Sequence, residues 1–165
     1  SGHLVRMTEE KGSEKREIKK GYHAYVEKIR DEETGKYRSV TRYDKVYYKQ
    51  YNKENKVSLA FQYKLISSET GEILLSDLIE LNESDASEWA RYDGDDRYLY
   101  PGTWERRDKA SSSDRVFTGR SQRRELERLL ESSGEVSSID ELALILYRSA
   151  GQRVARKLIT FNPEA

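Results

Sequence analysis

Residues 57–66 read VSLAFQYKLI, with Val57, Leu59, Phe61, Tyr63 and Leu65 at every second position and Ser58, Ala60, Gln62, Lys64 and Ile66 between them. A hydrophobic period of two belongs to a strand with one buried face. EILLSDLIEL (72–81) returns Ile73, Leu75, Ile79 and Leu81 to one side, so SSETG between the two runs predicts a hairpin turn. Gly71 there supplies a positive φ, and Ser67 to Thr70 can bond their own backbone. A second E-T-G, in RDEETGKYR, separates the weakly alternating GYHAYVEKI (21–29) from SVTRYDKVYYKQY (39–51). The pattern therefore predicts two hairpins in one antiparallel sheet.

The period changes near the C-terminus. SQRRELERLLESSG (121–134) places Leu126, Leu129 and Leu130 on one side, with Gly134 as a stop. In residues 137–163, Ile139, Leu142, Leu146, Ala150, Val154, Leu158 and Phe161 form an apolar stripe at helical spacing. Ser138 and Glu141 have the spacing of a capping box, and Asn162-Pro163 reads as the end of the helix. The fold class that follows is α+β: a twisted antiparallel β-sheet of hairpins with C-terminal amphipathic helices packed on one face. Residues 1–20 read as a vector remnant (SGHLVRM, in place of any native leader) and a charged, disordered lead-in. Residues 21–165 read as one domain. Hydrophobic periodicity lapses from Asn82 to Gly119, which predicts a long polar insertion with short strands at Tyr98–Tyr100 and Val116–Phe117.

Composition sharpens this picture. Of 165 residues, 35% are hydrophobic and 36% charged, so the core must be lean, and the 12 tyrosines suit half-buried sheet faces. The zero net charge is segregated: residues 11–56 carry 14 Lys/Arg against 8 Asp/Glu, whereas 67–96 carry 10 acidic residues and only Arg91. The absence of cysteine excludes disulfides and thiol catalysis. No apolar run approaches the roughly 20 residues of a spanning helix.

Candidate chemistry is sparse. His23 has no cysteine partner, and phosphate-loop, nucleophile-elbow and zinc-protease motifs are lacking. DGDD (93–96) lacks the ligand spacing of a calcium loop. The expectation is a non-enzymatic protein with no catalytic residues, cofactor, metal or small-molecule substrate. The aromatics of the insertion, Trp89, Tyr92, Tyr98, Tyr100 and Trp104, are the candidate interaction surface, because Tyr and Trp anchor interfaces; the competing reading is that they pin the loop to its own domain. The alternative function is binding of a polyanion or single-stranded nucleic acid by residues 42–56, where Tyr43, Tyr47, Tyr48 and Tyr51 alternate with Lys45, Lys49, Lys53 and Lys56. The acidic block and neutral total charge make that the weaker reading.

Leu59 to Ser76, with Glu69-Thr70-Gly71-Glu72-Ile73 at its turn, and Gly151 to Ile159 (GQRVARKLI) resemble the second half of the curli-secretion-channel (CsgG-like) family. Penicillin-binding-protein activator lipoproteins are related to it. The resemblance implies a bacterial cell-envelope protein on the periplasmic side, lipoprotein-related, acting by protein–protein interaction or assembly with an envelope partner or with itself. The family's first half has no counterpart here. Channel members insert amphipathic strands into the outer membrane, whereas 30–56 and 82–119 are charged throughout, which points to the non-pore branch.

Overall fold

The structure, a computed structural model, describes residues 2–161, with side chains from residue 4. It is α+β. In chain order the elements are β1 (Gly2–Lys11), β2 (Lys15–Arg30), β3 (Tyr37–Ile66), β4 (Ile73–Arg91), a 3-10 turn (Asp96–Tyr98), β5 (Leu99–Thr103), β6 (Arg115–Val116), α1 (Arg120–Glu131) and α2 (Ile139–Thr160). All strand pairs with a defined register are antiparallel. β2 pairs β3 from Lys15↔Asn52 to Arg30↔Tyr37, and β1 pairs it from Gly2↔Tyr63 to Lys11↔Asn55. β4 also pairs with β3.

Both E-T-G segments are hairpin turns, and they are the same turn. Gly35 N–H donates to Asp31 O (2.8 Å), and Asp31 N–H donates to Lys36 O (2.8 Å). Gly71 N–H to Ser67 O and Ser67 N–H to Glu72 O (both 2.9 Å) repeat the pattern. The first residue caps the turn with its side chain in each: Asp31 Oδ1 accepts from Glu33 N, and Ser67 Oγ accepts from Glu69 N and Thr70 N. The glycines sit at φ 67° and 73°, which L side chains adopt only with strain.

The chain packs as two compact units: Ser1–Ser13, Lys53–Ser87 and Val136–Ala165 form the first, Glu14–Asn52 and Glu88–Glu135 the second. In the first, Val57 and Leu59 of β3 meet Leu142, Ala143, Leu146 and Ala150 of α2, flanked by Met7, Leu81 and Ile139. Buried Asn55 adds a polar tie there. Its Oδ1 accepts from Gly12 N and its Nδ2 donates to Ser137 O, so neither amide group is left unpaired. In the second unit, Tyr48, Ala90, Leu99, Leu126 and Leu129 form the core, with Val46, Tyr92 and Leu130 against it.

Three expectations change. Residues 8–20, expected to be disordered, lie mostly in β1 and β2; their side chains are largely exposed, and pairing to β3 rather than apolar burial orders them. The expected 82–119 insertion begins with strand, since β4 runs on to Arg91. Burial there still alternates, but the inward positions are polar, as at Glu83, Asp85 and Ser87, so hydropathy does not reveal it. Asp85 accepts from Ser137 N (2.8 Å), which holds its carboxyl below the usual range. The α2 stripe, expected to be core to Phe161, is buried only to Ala150; Val154 is half-buried and Leu158 is 42% exposed. The capping box forms as expected, with Ser138 Oγ accepting from Glu141 N and Glu141 Oε2 from Ser138 N. The expected Asn162-Pro163 stop lies outside the described residues.

The two ends of this stripe should differ in mutational cost. Leu146→Ala should lower unfolding free energy by about 2–5 kcal/mol, since it opens a cavity in a packed core. Leu158→Ala should cost less than about 1 kcal/mol, because the side chain is half in water already. Urea unfolding of both variants checks the difference; equal losses would place Leu158 in the core.

Candidate interaction site

The five aromatics expected to form one surface divide into two groups. Trp89 and Trp104 are 7% and 4% exposed. Trp89 stacks on Tyr51 (centroids 5.4 Å, planes 8° apart) and lies against Gly134, where a Cβ would come within 2.7 Å of the indole. Trp104 donates from Nε1 to Gly21 O (3.0 Å), Tyr47 meets its ring edge-on at 5.0 Å, and Lys20 Nζ sits 4.7 Å from its centroid. These tryptophans pin the 88–135 segment to its own unit. Lys45 fastens the loop that follows: its ammonium donates to Arg106 O and Lys109 O and pairs with Asp114 at 2.6 Å. That ion pair depresses the Asp114 carboxyl.

The three tyrosines face outward to different degrees. Tyr92 is half-buried, with its hydroxyl 2.9 Å from His23 Nδ1. Burial first, then Asp93, raises its pKa. Tyr100 is half-buried as well. Arg123 lies 4.2 Å over its ring and donates to its hydroxyl at 2.9 Å, while Tyr43 meets it edge-on at 5.5 Å. Tyr98, at the end of the 3-10 turn, is 46% exposed.

Tyr98 and Tyr100 border an open cleft of about 490 Å³, completed by His23, Ala24, Tyr25 and Val26 of β2 and Thr41 of β3. The strand register explains why the cleft exists. β5 pairs with β2 only at Gly21↔Pro101, Tyr22↔Tyr100 and His23↔Leu99. Immediately before Leu99 the chain turns away into the 3-10 turn, so Ala24–Arg30 continue with β3 as their only neighbour among the described strands. Register also places Tyr22, Ala24, Val26, Thr41, Tyr43 and Tyr100 on one face, because directly opposed residues share a side. Ala24 and Thr41 make a low floor there with Tyr100 beside it, while Tyr98 borders the cleft at the strand edge, its ring 5.9 Å from that of His23, which register turns to the other face.

The sequence flagged Tyr98 and Tyr100 and missed the β2 and β3 residues. Nothing in GYHAYVEKI marks a free edge, because edge status depends on where β5 stops. The turn behind Tyr98 is fixed by charge. Asp95 Oδ1 accepts from Arg97 N (3.0 Å), and the carboxylate takes a fork from Arg97 Nε and Nη2 (3.0 and 2.7 Å). Asp95 is thus engaged in holding the turn that carries Tyr98. His23 has Tyr92 for a partner and no Ser, Thr or Cys hydroxyl or thiol against it among its described contacts. The cleft presents flat aromatic surface and free strand backbone.

Comparison with family models, with curated proteins and with solved structures finds no match.

The Arg97 fork, followed by the Arg97 backbone N–H, lowers the Asp95 pKa to about 2. A depressed carboxylate contributes stability that is complete above its unfolded pKa and is lost as pH falls through the folded value. The contribution of Asp95 should thus be intact above about pH 4 and fade toward about pH 2. Carboxyl NMR should show Asp95 titrating near the lower value and Arg97→Ala returning it toward that of an ordinary aspartate; an unchanged midpoint in the variant would refute the assignment.

Proposed function

We propose that this protein is a non-enzymatic binding module that captures an extended segment of a protein partner along β2. The observation that carries this reading is the coincidence of an unpaired strand edge, Ala24–Arg30, with an aromatic-walled cleft at the same place. A peptide laid antiparallel or parallel to β2 would satisfy its free N–H and C=O groups and continue the sheet where β5 leaves it. Every second side chain of that peptide would point at Ala24, Val26 and Thr41, beside Tyr98 and Tyr100, so the partner should alternate apolar and polar residues. The backbone bonds provide affinity and the cleft provides selectivity.

The setting of a bacterial cell envelope, on the periplasmic side, rests on the resemblance of Leu59–Ser76 and Gly151–Ile159 to curli-secretion-channel-like and lipoprotein sequences. No described helix is long and apolar enough to cross a membrane. Polyanion binding by residues 42–56 would need their tyrosines as an open platform. Tyr48 is buried, Tyr51 stacks on Trp89 and Tyr43 packs on Tyr100, so of the four only Tyr47, 46% exposed beside Trp104, is an open ring, where a run of stacked bases needs several; a protein partner is favoured.

Selection of random peptides on the folded protein should enrich alternating apolar sequences that bind as strands. N-methylating alternate amides of such a peptide, on the edge-facing side, should weaken it by at least about tenfold, since each lost backbone bond leaves a strand donor or acceptor unpaired. Thr41→Trp should fill the cleft and abolish binding while leaving the melt intact. Peptides that bind as helices, or that bind Thr41→Trp as well as the parent, would overturn the proposal.

A further inference from the structure

The arm of β2 that β5 leaves open differs in charge between its two faces, and its backbone determines which residues an added strand meets. Pro101 O accepts from Phe117 N (2.9 Å), so Pro101 faces β6 and Tyr100 faces β2. Tyr22, opposite Tyr100, therefore turns its N–H and C=O toward β5. Alternation along an antiparallel ladder gives Ala24, Val26, Lys28 and Arg30 the same direction, so these residues present the free backbone groups of the edge. Their side chains share one face, the face of the cleft.

Across β3 they are opposed by Tyr43, Thr41, Ser39 and Tyr37 in turn. That face thus carries Lys28 and Arg30 and no carboxylate from Ala24 to Arg30 or from Tyr37 to Tyr43. Glu27, the one acid of the two arms, lies on the other face, where Arg42 pairs with it at 2.8 Å. The side chains of Lys28 and Arg30 are exposed, and neither has a carboxylate partner among the described residues. Apolar surface accompanies them, since Val26 is 65% and Tyr37 68% exposed. Beyond Arg30 the sign reverses, with Asp31, Glu32 and Glu33 in the turn against Lys36.

Given strand capture along β2, on which this inference rests, we infer that the captured segment of the partner places acids opposite Arg30 and Lys28 and apolar residues opposite Val26 and Ala24. Each of these positions is a hydrogen-bonded pair of an antiparallel ladder, so the partner's side chain stands directly opposite on the cleft face. Antiparallel addition continues the line of β5, which itself runs antiparallel to β2. Read from its amino end, the segment is then acid-x-acid-x-apolar-x-apolar, where x is a polar residue on the other face. The two carboxylates neutralise Lys28 and Arg30. The apolar pair covers Val26 and the low floor at Ala24 and Thr41, beside Tyr100. The turn limits the acidic run, because a polyanion continuing past Arg30 would meet Asp31 to Glu33.

Labelled peptides titrated onto the full chain test this by fluorescence anisotropy. ETETVTV should bind at least about tenfold more tightly than KTKTVTV, because two attractive cross-strand pairs replace two repulsive ones. It should also outbind VTVTETE, which has the same composition in the reverse order. The double variant Lys28→Glu, Arg30→Glu should keep the parent's melt and reverse the preference, and Thr41→Trp should abolish all binding. If ETETVTV and KTKTVTV bind equally and Thr41→Trp abolishes both, strand capture at β2 stands and the acidic partner is overturned. Binding of neither, or binding that Thr41→Trp leaves intact, overturns capture itself and this inference with it. VTVTETE binding as tightly as ETETVTV, or a single-stranded oligonucleotide displacing ETETVTV, would also overturn it. Should the double variant fail to fold, the three peptides on the parent protein still decide.

Discussion

The backbone of β3 is the constraint on which everything else depends. Thirty consecutive residues in one strand present an unbroken series of N–H and C=O groups, and each group away from water must find a partner. β1, β2 and β4 meet that demand, so one strand supplies both compact units: residues up to Asn52 serve one core, and those from Lys53 the other. This explains how a chain with more charged than hydrophobic residues folds. Pairing orders long stretches of exposed Lys, Glu and Arg, while the few fully apolar positions gather where a helix can cover them.

The parts of the fold legible in the sequence were those where local and tertiary signals agree. Val57 to Leu65 alternate because α2 covers one face; Gly35 and Gly71 stand where positive φ is required; Ser138 and Glu141 cap each other as their spacing implies. The stretch 82–91 was illegible because its inward side chains are polar and satisfied by hydrogen bonds, as Asp85 is by Ser137. The lead-in was illegible because edge strands need little apolar content when a neighbour provides the ladder. Trp89 and Trp104 looked available for a partner only because Tyr51, Gly134 and Gly21, which receive them, are distant in sequence.

The candidate site shows the same division. Tyr98 and Tyr100 were visible as aromatics in a polar stretch, and their roles still differ. Arg123 and Tyr43 hold Tyr100 in place, so it forms a fixed wall. Tyr98 is carried on a turn clamped by Asp95 and Arg97, which presents the ring at little entropic cost. The cleft floor is made by Ala24 and Thr41, whose smallness matters only once register sets them on one face, diagonal to each other, with Ala24 opposite Tyr43 and Thr41 opposite Val26.

A free strand edge invites a copy of itself as readily as a partner, and the residues along β2 bear on which it accepts. Two identical edges pair antiparallel only about a two-fold axis normal to the sheet, and that axis must pass through a residue for opposed side chains to share a face. Centring on Glu27 or Lys28 sets like charges directly opposite, which is destabilising. Centring on Ile29 opposes Lys28 to Arg30. Centring on Val26 avoids a clash, but the ladder is then confined to 24–28, because Leu99 already occupies the place opposite His23. Charges on an edge are a known guard against aggregation. Here they oppose self-pairing at nearly every register while leaving the backbone and the tyrosine-walled cleft open to a chain whose sequence differs, so β2 is suited to a heterologous strand rather than to a copy of itself.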